Sequence, residues 1–231
     1  MESKNYVLIG GSYGIGSSMA EKLISAGNSV YVLSRTRPSV NGIHHIPFDV
    51  EQQAVSTADL PSAIHGLAYL PGTIQLKPFH RFTDEEFMAD FKLNTLLAAK
   101  TIRDLLMLLK AGGQSSVVLF STVAVQQGMP FHASVAMAKG ALEGLTRSLA
   151  AELAPKIRVN AIAPSITDTP LASRILSSEE KKKASGERHP LKRVGEVGDI
   201  AEAAVYLLSE KSSWVSGQIL HVDGGMSALR I

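Results

Sequence analysis

Three glycines set the first chemistry this chain can do. Gly10, Gly14 and Gly16 lie between an apolar run, Tyr6 to Ile9, and a helical pattern through Ile15, Met19, Leu23 and Ala26 that stops at Gly27. Strand, glycine turn and helix together aim free backbone N–H groups and the positive end of a helix at one point, where a diphosphate binds. Gly10 then allows the tight turn, Gly14 the close approach of phosphate, and Gly16 the packing of helix on strand. The spacing is G-x-x-x-G-x-G, and spacing alone leaves open a tight turn with no ligand. A second apolar stretch, Val30 to Leu33, runs into Ser34-Arg35-Thr36-Arg37-Pro38. In dinucleotide folds an acid about twenty positions past the glycines takes the adenosine ribose hydroxyls, whereas arginine there accommodates a 2′-phosphate. No Asp or Glu lies between Glu21 and Asp49. Arg35, with Arg37 near it, therefore favours NADP(H) over NAD(H); the alternative is a pair of solvated loop arginines.

Other chemistries find little support. With no cysteine, the chain has no thiol nucleophile, no thiolate zinc site and no disulfide framework. His44 and His45 hint at a metal, but neighbours on a strand point to opposite faces and these lack partners, so they read as structural. A net charge of +2 without an aromatic-interleaved basic patch does not imply nucleic acid. No apolar run approaches the roughly 20 residues of a membrane span. The charged N-terminus enters a strand within five residues, leaving no room for a signal peptide, so a soluble cytoplasmic location is expected.

The elements that must position these residues alternate along the chain. A third strand is expected over Ile43 to Val50 and a fourth over Gly66 to Gly72, ending in a turn. Glu51 to His65, with Pro61, is short for a crossover helix. Thr83 caps a long helix over 83–110 whose first turn holds Asp84, Glu85 and Glu86, with Asn94 inside it for no evident local reason. Val117 to Phe120 is a strand leading into Ser121-Thr122. A helix follows from about His132 to Ala154, closed by Pro155, and then a strand over Arg158 to Ala163. A last helix, Val197 to Leu208, and a last strand, Gln218 to Val222, complete a doubly wound α/β pattern with no repeat or linker. The expectation is a single domain over 1–231.

These motifs, in this order, resemble the short-chain dehydrogenase/reductase family along nearly the whole chain. The matching stretches include Gly10 to Gly16, Asp49-Val50, Asn94, Ser121-Thr122, Lys139-Gly140-Ala141, Arg158 to Pro164, Thr167 to Pro170, Gly195 to Ala201 and Val222 to Gly225. The resemblance implies a Rossmann-type, three-layer α/β/α fold with a parallel sheet of about seven strands. It also implies a nicotinamide cofactor, a small carbonyl or alcohol substrate, and a homodimer or homotetramer. It puts the diphosphate on the loop of Gly10, Ser12, Tyr13, Gly14, Ile15 and Gly16. Asp49 and Val50 would flank the adenine; Pro71 and Gly72 would border the cofactor. Pro164, Thr167 and Thr169 would border the nicotinamide, and Lys139 would hold its ribose. Asn94 would support a water relay to Lys139, and Thr122 would hydrogen-bond the substrate carbonyl in place of the family's serine. The region around 170–193 would be a mobile substrate lid, opening with a capping pattern at Ser177-Ser178.

Three departures stand out. The family's tyrosine acid belongs four residues before Lys139 and thirteen after Thr122, and both counts fall on Val135. The family's Asn-Asn-Ala-Gly is Tyr69-Leu70-Pro71-Gly72, and the glycine after Pro164 is Ser165. Val135 cannot donate a proton. His132, on the same helix face as 135 and 139 if the helix includes it, is a candidate substitute, beside the plainer reading of a histidine at a helix start. Tyr13 and Tyr69, near the cofactor path, read as packing residues, and Trp214 and His221 as residues of a subunit contact. Apolar residues beyond one stripe, at Leu96 to Ala99 and at Leu105, Leu106, Leu108 and Leu109, also point to an oligomer. Two functions remain: an oxidoreductase working through Asn94, Thr122 and Lys139, or a nucleotide-binding pseudoenzyme acting as sensor or partner subunit.

Overall fold

The computed structural model describes residues 3–230. Seven parallel strands form one sheet in the order β3-β2-β1-β4-β5-β6-β7. They are β1 (Asn5–Ile9), β2 (Ser29–Ser34), β3 (His44–Pro47), β4 (Gly66–Tyr69), β5 (Ser115–Phe120), β6 (Ile157–Pro164) and β7 (Ile219–Val222). The helices are α1 (Gly14–Ser25), α2 (Asp84–Phe91), α3 (Leu97–Ala111), α4 (Ala133–Leu153), α5 (Glu179–Glu187) and α6 (Val197–Leu208). Central strands covered on both faces are mostly apolar, as a parallel sheet favours, with buried Ser115, Ser116 and Asn160 as polar exceptions. On β1, Val7 and Ile9 face the core shared with α3 and α4, while Tyr6 and Leu8 face the one shared with α1 and α6. The sheet thus lies between two helical layers, the fold class expected from the sequence.

Chain order reverses between β1 and β4, the crevice where open α/β sheets bind ligands beyond the strands' carboxyl ends. Gly27 ends α1 at φ 81°, with its N–H on the Ile24 carbonyl at 2.8 Å. Thr83 and Glu86 form a reciprocal capping box that starts α2.

Two elements differ clearly from expectation. The strand expected over 43–50 stops at Pro47, which offers no N–H to extend the ladder. Beyond it the Asp49 carboxylate accepts the Glu51 N–H at 3.0 Å in a tight turn. Residues 51–65 hold no helix. The helix expected over 83–110 is broken by a π-helical turn, Lys92–Leu96. There the Asn94 side-chain amide donates to the Asp90 carbonyl at 2.9 Å, taking the acceptor an α-helix would give to the backbone N–H of residue 94. The Leu97 N–H accordingly reaches back five residues to Lys92.

His44 stacks on Tyr31 at 4.6 Å, and His45 Nε2 lies 3.1 Å from the Ser34 carbonyl, so both are structural. Among the described residues no group of His, Cys, Asp and Glu could hold a metal, and no helix is long and apolar enough to cross a membrane.

Candidate active site

The carboxyl ends of β1, β2, β4, β5 and β6 open into one cavity of about 550 Å³. Every residue the sequence assigned to cofactor or chemistry lines it, except Asn94 and Arg37. Asn94 is fully buried behind Gly72 and Thr73.

The glycine turn is a cradle for an anion. Gly10, Gly11 and Gly14 have φ of 80°, 94° and 56°, a region costly for residues with a Cβ. A Cβ on Gly16 would stand 2.3 Å from Gly11 Cα, so helix and turn meet only without it. The first turn of α1 has no side-chain cap and no acidic residue, which leaves its N–H groups for a ligand. Ser12 and Ser34 both donate to the Thr36 carbonyl, at 2.6 and 2.8 Å, and tie the turn to the loop carrying Arg35. Arg35 lines the cavity, exposed; Arg37 does not line it. Across the cavity, Thr169 Cγ2 would lie 3.5 Å from a Cβ on Gly14, so the 167–170 segment closes against the turn. The residues therefore fit a nucleotide diphosphate.

At the other end stands Lys139. Its Nζ donates to the Phe120 carbonyl at 2.6 Å, and burial lowers its pKa to about 8 against an opposing pull from Asp90. Asp90 is itself buried; it accepts from Thr73 Oγ1 at 2.6 Å and from Ser134 Oγ at 2.5 Å. Thr73 in turn accepts from the Asn94 amide at 2.9 Å. Thr95 in the π turn donates to the Ala138 carbonyl at 2.6 Å and fixes α4 beside it. The irregular turn is thus where the lysine is positioned. Asp90, Thr73 and Ser134 carried no sequence signal, because the three come from separate elements and meet only in the fold.

Thr122 starts a short turn in which its Oγ1 accepts the Ala124 N–H at 3.3 Å, leaving its own proton for the cavity. Buried Glu143 accepts from Ser121 at 2.8 Å and holds this segment to α4. Val135 is buried and lines the cavity one turn before Lys139. His132 falls outside α4, at its N-cap; its Nδ1 lies 2.7 Å from the Pro130 carbonyl, and the residue lines the cavity. Tyr13 lines the cavity too, whereas Tyr69 is a core residue whose phenol donates to the Leu93 carbonyl at 2.7 Å. The site also contains Ser165 and His189. In the sequence Ser165 is only a departure from the family's glycine after Pro164, and His189 carries no motif signal.

A seven-stranded parallel sheet with a glycine cradle at its switch point and a buried lysine on the following wall defines a Rossmann-type oxidoreductase fold. The chain belongs to the short-chain dehydrogenase/reductase family. The family model described as enoyl-(acyl carrier protein) reductase matches residues 10–227. The chain is 32% identical to L-xylulose reductase of Bos taurus over 240 residues, covering 99% of this chain and 98% of that protein. A tropinone reductase homolog of Arabidopsis thaliana is 32% identical over 246 residues, covering 98% and 94%. Among solved structures, the ligand-free aldohexose dehydrogenase of Thermoplasma acidophilum superposes with a TM-score of 0.92 at 27% identity, covering 99% of this chain and 96% of that one.

Proposed function

We propose that this chain is an NADP(H)-dependent oxidoreductase acting on a small carbonyl or alcohol. One observation carries the reading: cradle, Arg35, Thr122 and Lys139 line a single cavity, with the lysine buried at its inner end. The glycine turn would hold the diphosphate and Arg35 the 2′-phosphate. Lys139 would hold the nicotinamide ribose and Thr122 the substrate oxygen. A bound reduced nicotinamide supplies the hydride. The chain's own work is orientation, exclusion of water and control of the proton. Segment 170–193, with α5 joined to the cavity wall by the Lys182–Asp168 pair at 2.5 Å, would be the substrate lid. Relatives named as reductases and dehydrogenases support the reaction class.

A second reading, a nucleotide-binding protein without turnover, is favoured by Val135, which cannot supply a proton. NADPH consumption on small ketones, diketones and keto sugars separates the two. Turnover of any member supports the oxidoreductase. Tight NADPH binding with no turnover on every member supports the binding protein.

A further inference from the structure

His189 is 2% exposed, yet both its ring nitrogens are engaged at the cavity wall. Its Nδ1 lies 2.9 Å from the Ser185 carbonyl, and its Nε2 lies 2.8 Å from Ser165 Oγ. A carbonyl only accepts, so Nδ1 carries a proton. In the neutral ring Nε2 then accepts from the Ser165 hydroxyl; in the protonated ring Nε2 donates to it and frees the serine proton. Gly224, at φ 63°, passes so close that a Cβ there would stand 3.5 Å from the ring, which walls the imidazole in. Besides His189, the one hydrogen-bond partner of Ser165 Oγ among the described residues is Met226 Sδ at 3.2 Å, a weak acceptor. Ser165 directly follows Pro164 at the carboxyl end of β6 and lines the same cavity as Thr122, Val135 and Lys139. A serine oriented by a histidine that is itself oriented by a third group is an arrangement suited to moving a proton.

We propose that Ser165, backed by His189, exchanges the proton with the substrate oxygen, the task for which Val135 has no group. This rests on the oxidoreductase reading above. In reduction, the hydride forms the new C–H bond and the carbonyl π pair moves to oxygen. That oxygen takes the Ser165 proton and Nε2 of protonated His189 restores it; once the product leaves, water in the cavity returns a proton through the Ser165 hydroxyl to Nε2. In alcohol oxidation the same proton runs from substrate through Ser165 to neutral His189. Ser165 is the catalytic residue and His189 its positioning and relay partner.

The test uses the full chain. Ser165→Ala should lower single-turnover NADPH oxidation by roughly 10²–10⁴-fold, the contribution of a placed general acid. It should leave the NADPH dissociation constant unchanged, and Ser165→Thr should keep most of the rate. Adding Val135→Tyr to Ser165→Ala should recover at least about tenfold, since a second acid then replaces the first. Independently of turnover, the imidazole ¹⁵N signal absent from His189→Asn should move in Ser165→Ala. An unmoved signal, or an unchanged rate in Ser165→Ala, overturns the proposal while the oxidoreductase reading stands. A lost rate that Val135→Tyr cannot recover also overturns it, because Ser165 then shapes the pocket rather than giving a proton. A wild type that turns over no carbonyl removes the oxidoreductase reading itself, and the proton role with it.

Discussion

Asn94 and Lys139 converge on Gly72: a Cβ there would stand 3.0 Å from Asn94 Oδ1 and 3.5 Å from Lys139 Nζ. The residue after β4 that brings the π turn and the lysine together therefore has to be small. Gly72→Ala forces Asn94 to yield by a few tenths of an ångström, and Asn94 is held at three points: the Asp90 carbonyl, the Thr73 hydroxyl and the Thr73 N–H. The variant should lose about 1–2 kcal/mol of stability, as strain in a buried hydrogen-bonded site does. Urea unfolding of the two proteins measures this, and an unchanged midpoint would show that the site relaxes freely.

Lys139 makes stability depend on pH with a known sign. Its folded pKa, about 8, lies below its ordinary value of 10.5 because burial disfavours the ammonium. Between those values the unfolded chain binds more protons, so this group's contribution to stability rises with pH through that window. Below pH 8 its burial penalty is fully present, on the order of 3 kcal/mol. Lys139→Met removes the penalty, so its stability relative to wild type should be more favourable at pH 7 than at pH 10. Paired denaturation curves at the two pH values give the difference. A difference independent of pH contradicts the depressed pKa.

Asp90 opposes that depression. Asp90→Asn removes the buried charge that raises the Lys139 pKa and so should bring it below about 8. It also exchanges one of the two oxygens serving Thr73 and Ser134 for an amide, which should cost about 1–3 kcal/mol. Titration of the ¹³Cε resonance, assigned through Lys139→Met, reads the shift. A pKa that rises or stays fixed would count against the coupling.

Arg35 lines the cavity and has no ion-pair partner among the described residues. A charge-assisted contact to a 2′-phosphate is worth about 1.5–3 kcal/mol, or roughly tenfold and more in affinity. NADPH should bind at least about tenfold tighter than NADH, and Arg35→Ala should erase most of that gap. Calorimetry on both cofactors decides, and equal dissociation constants in the wild type would reduce Arg35 to a solvated loop residue.

Assembly can be read from what the helices leave uncovered. Leu97, Ala98, Leu105 and Leu109 pack into the core, but Leu96 is 52% exposed and Met107 73%. Met88 and Met137 are exposed as well, and Trp214, which does not line the cavity, is 99% exposed. If these side chains form a contact surface between copies, light scattering should give a dimer or tetramer. A particle of 24.6 kDa at micromolar concentration would exclude it.

The sequence by itself determined the sheet and the cradle. Glycines at 10, 14 and 16, apolar runs of strand length and helices capped at Thr83 and Ser178 are local patterns, and local sterics and hydrogen bonding read them the same way in any context. It also set Thr122 and Lys139 at spacings that resemble a known family's, with Val135 where that family carries a tyrosine. What it left unresolved was long-range. By local pattern Asn94 is a poor residue for a helix interior; its bond to the Asp90 carbonyl and its meeting with Lys139 at Gly72 exist only in the fold. Asp90, Thr73 and Ser134 come from three elements, and Ser165 and His189 stand 24 residues apart. No periodicity links such residues. The sheet's order brings β4, β5 and β6 side by side, and only that closure puts their carboxyl ends, with the acids, hydroxyls and imidazole that follow them, around one cavity.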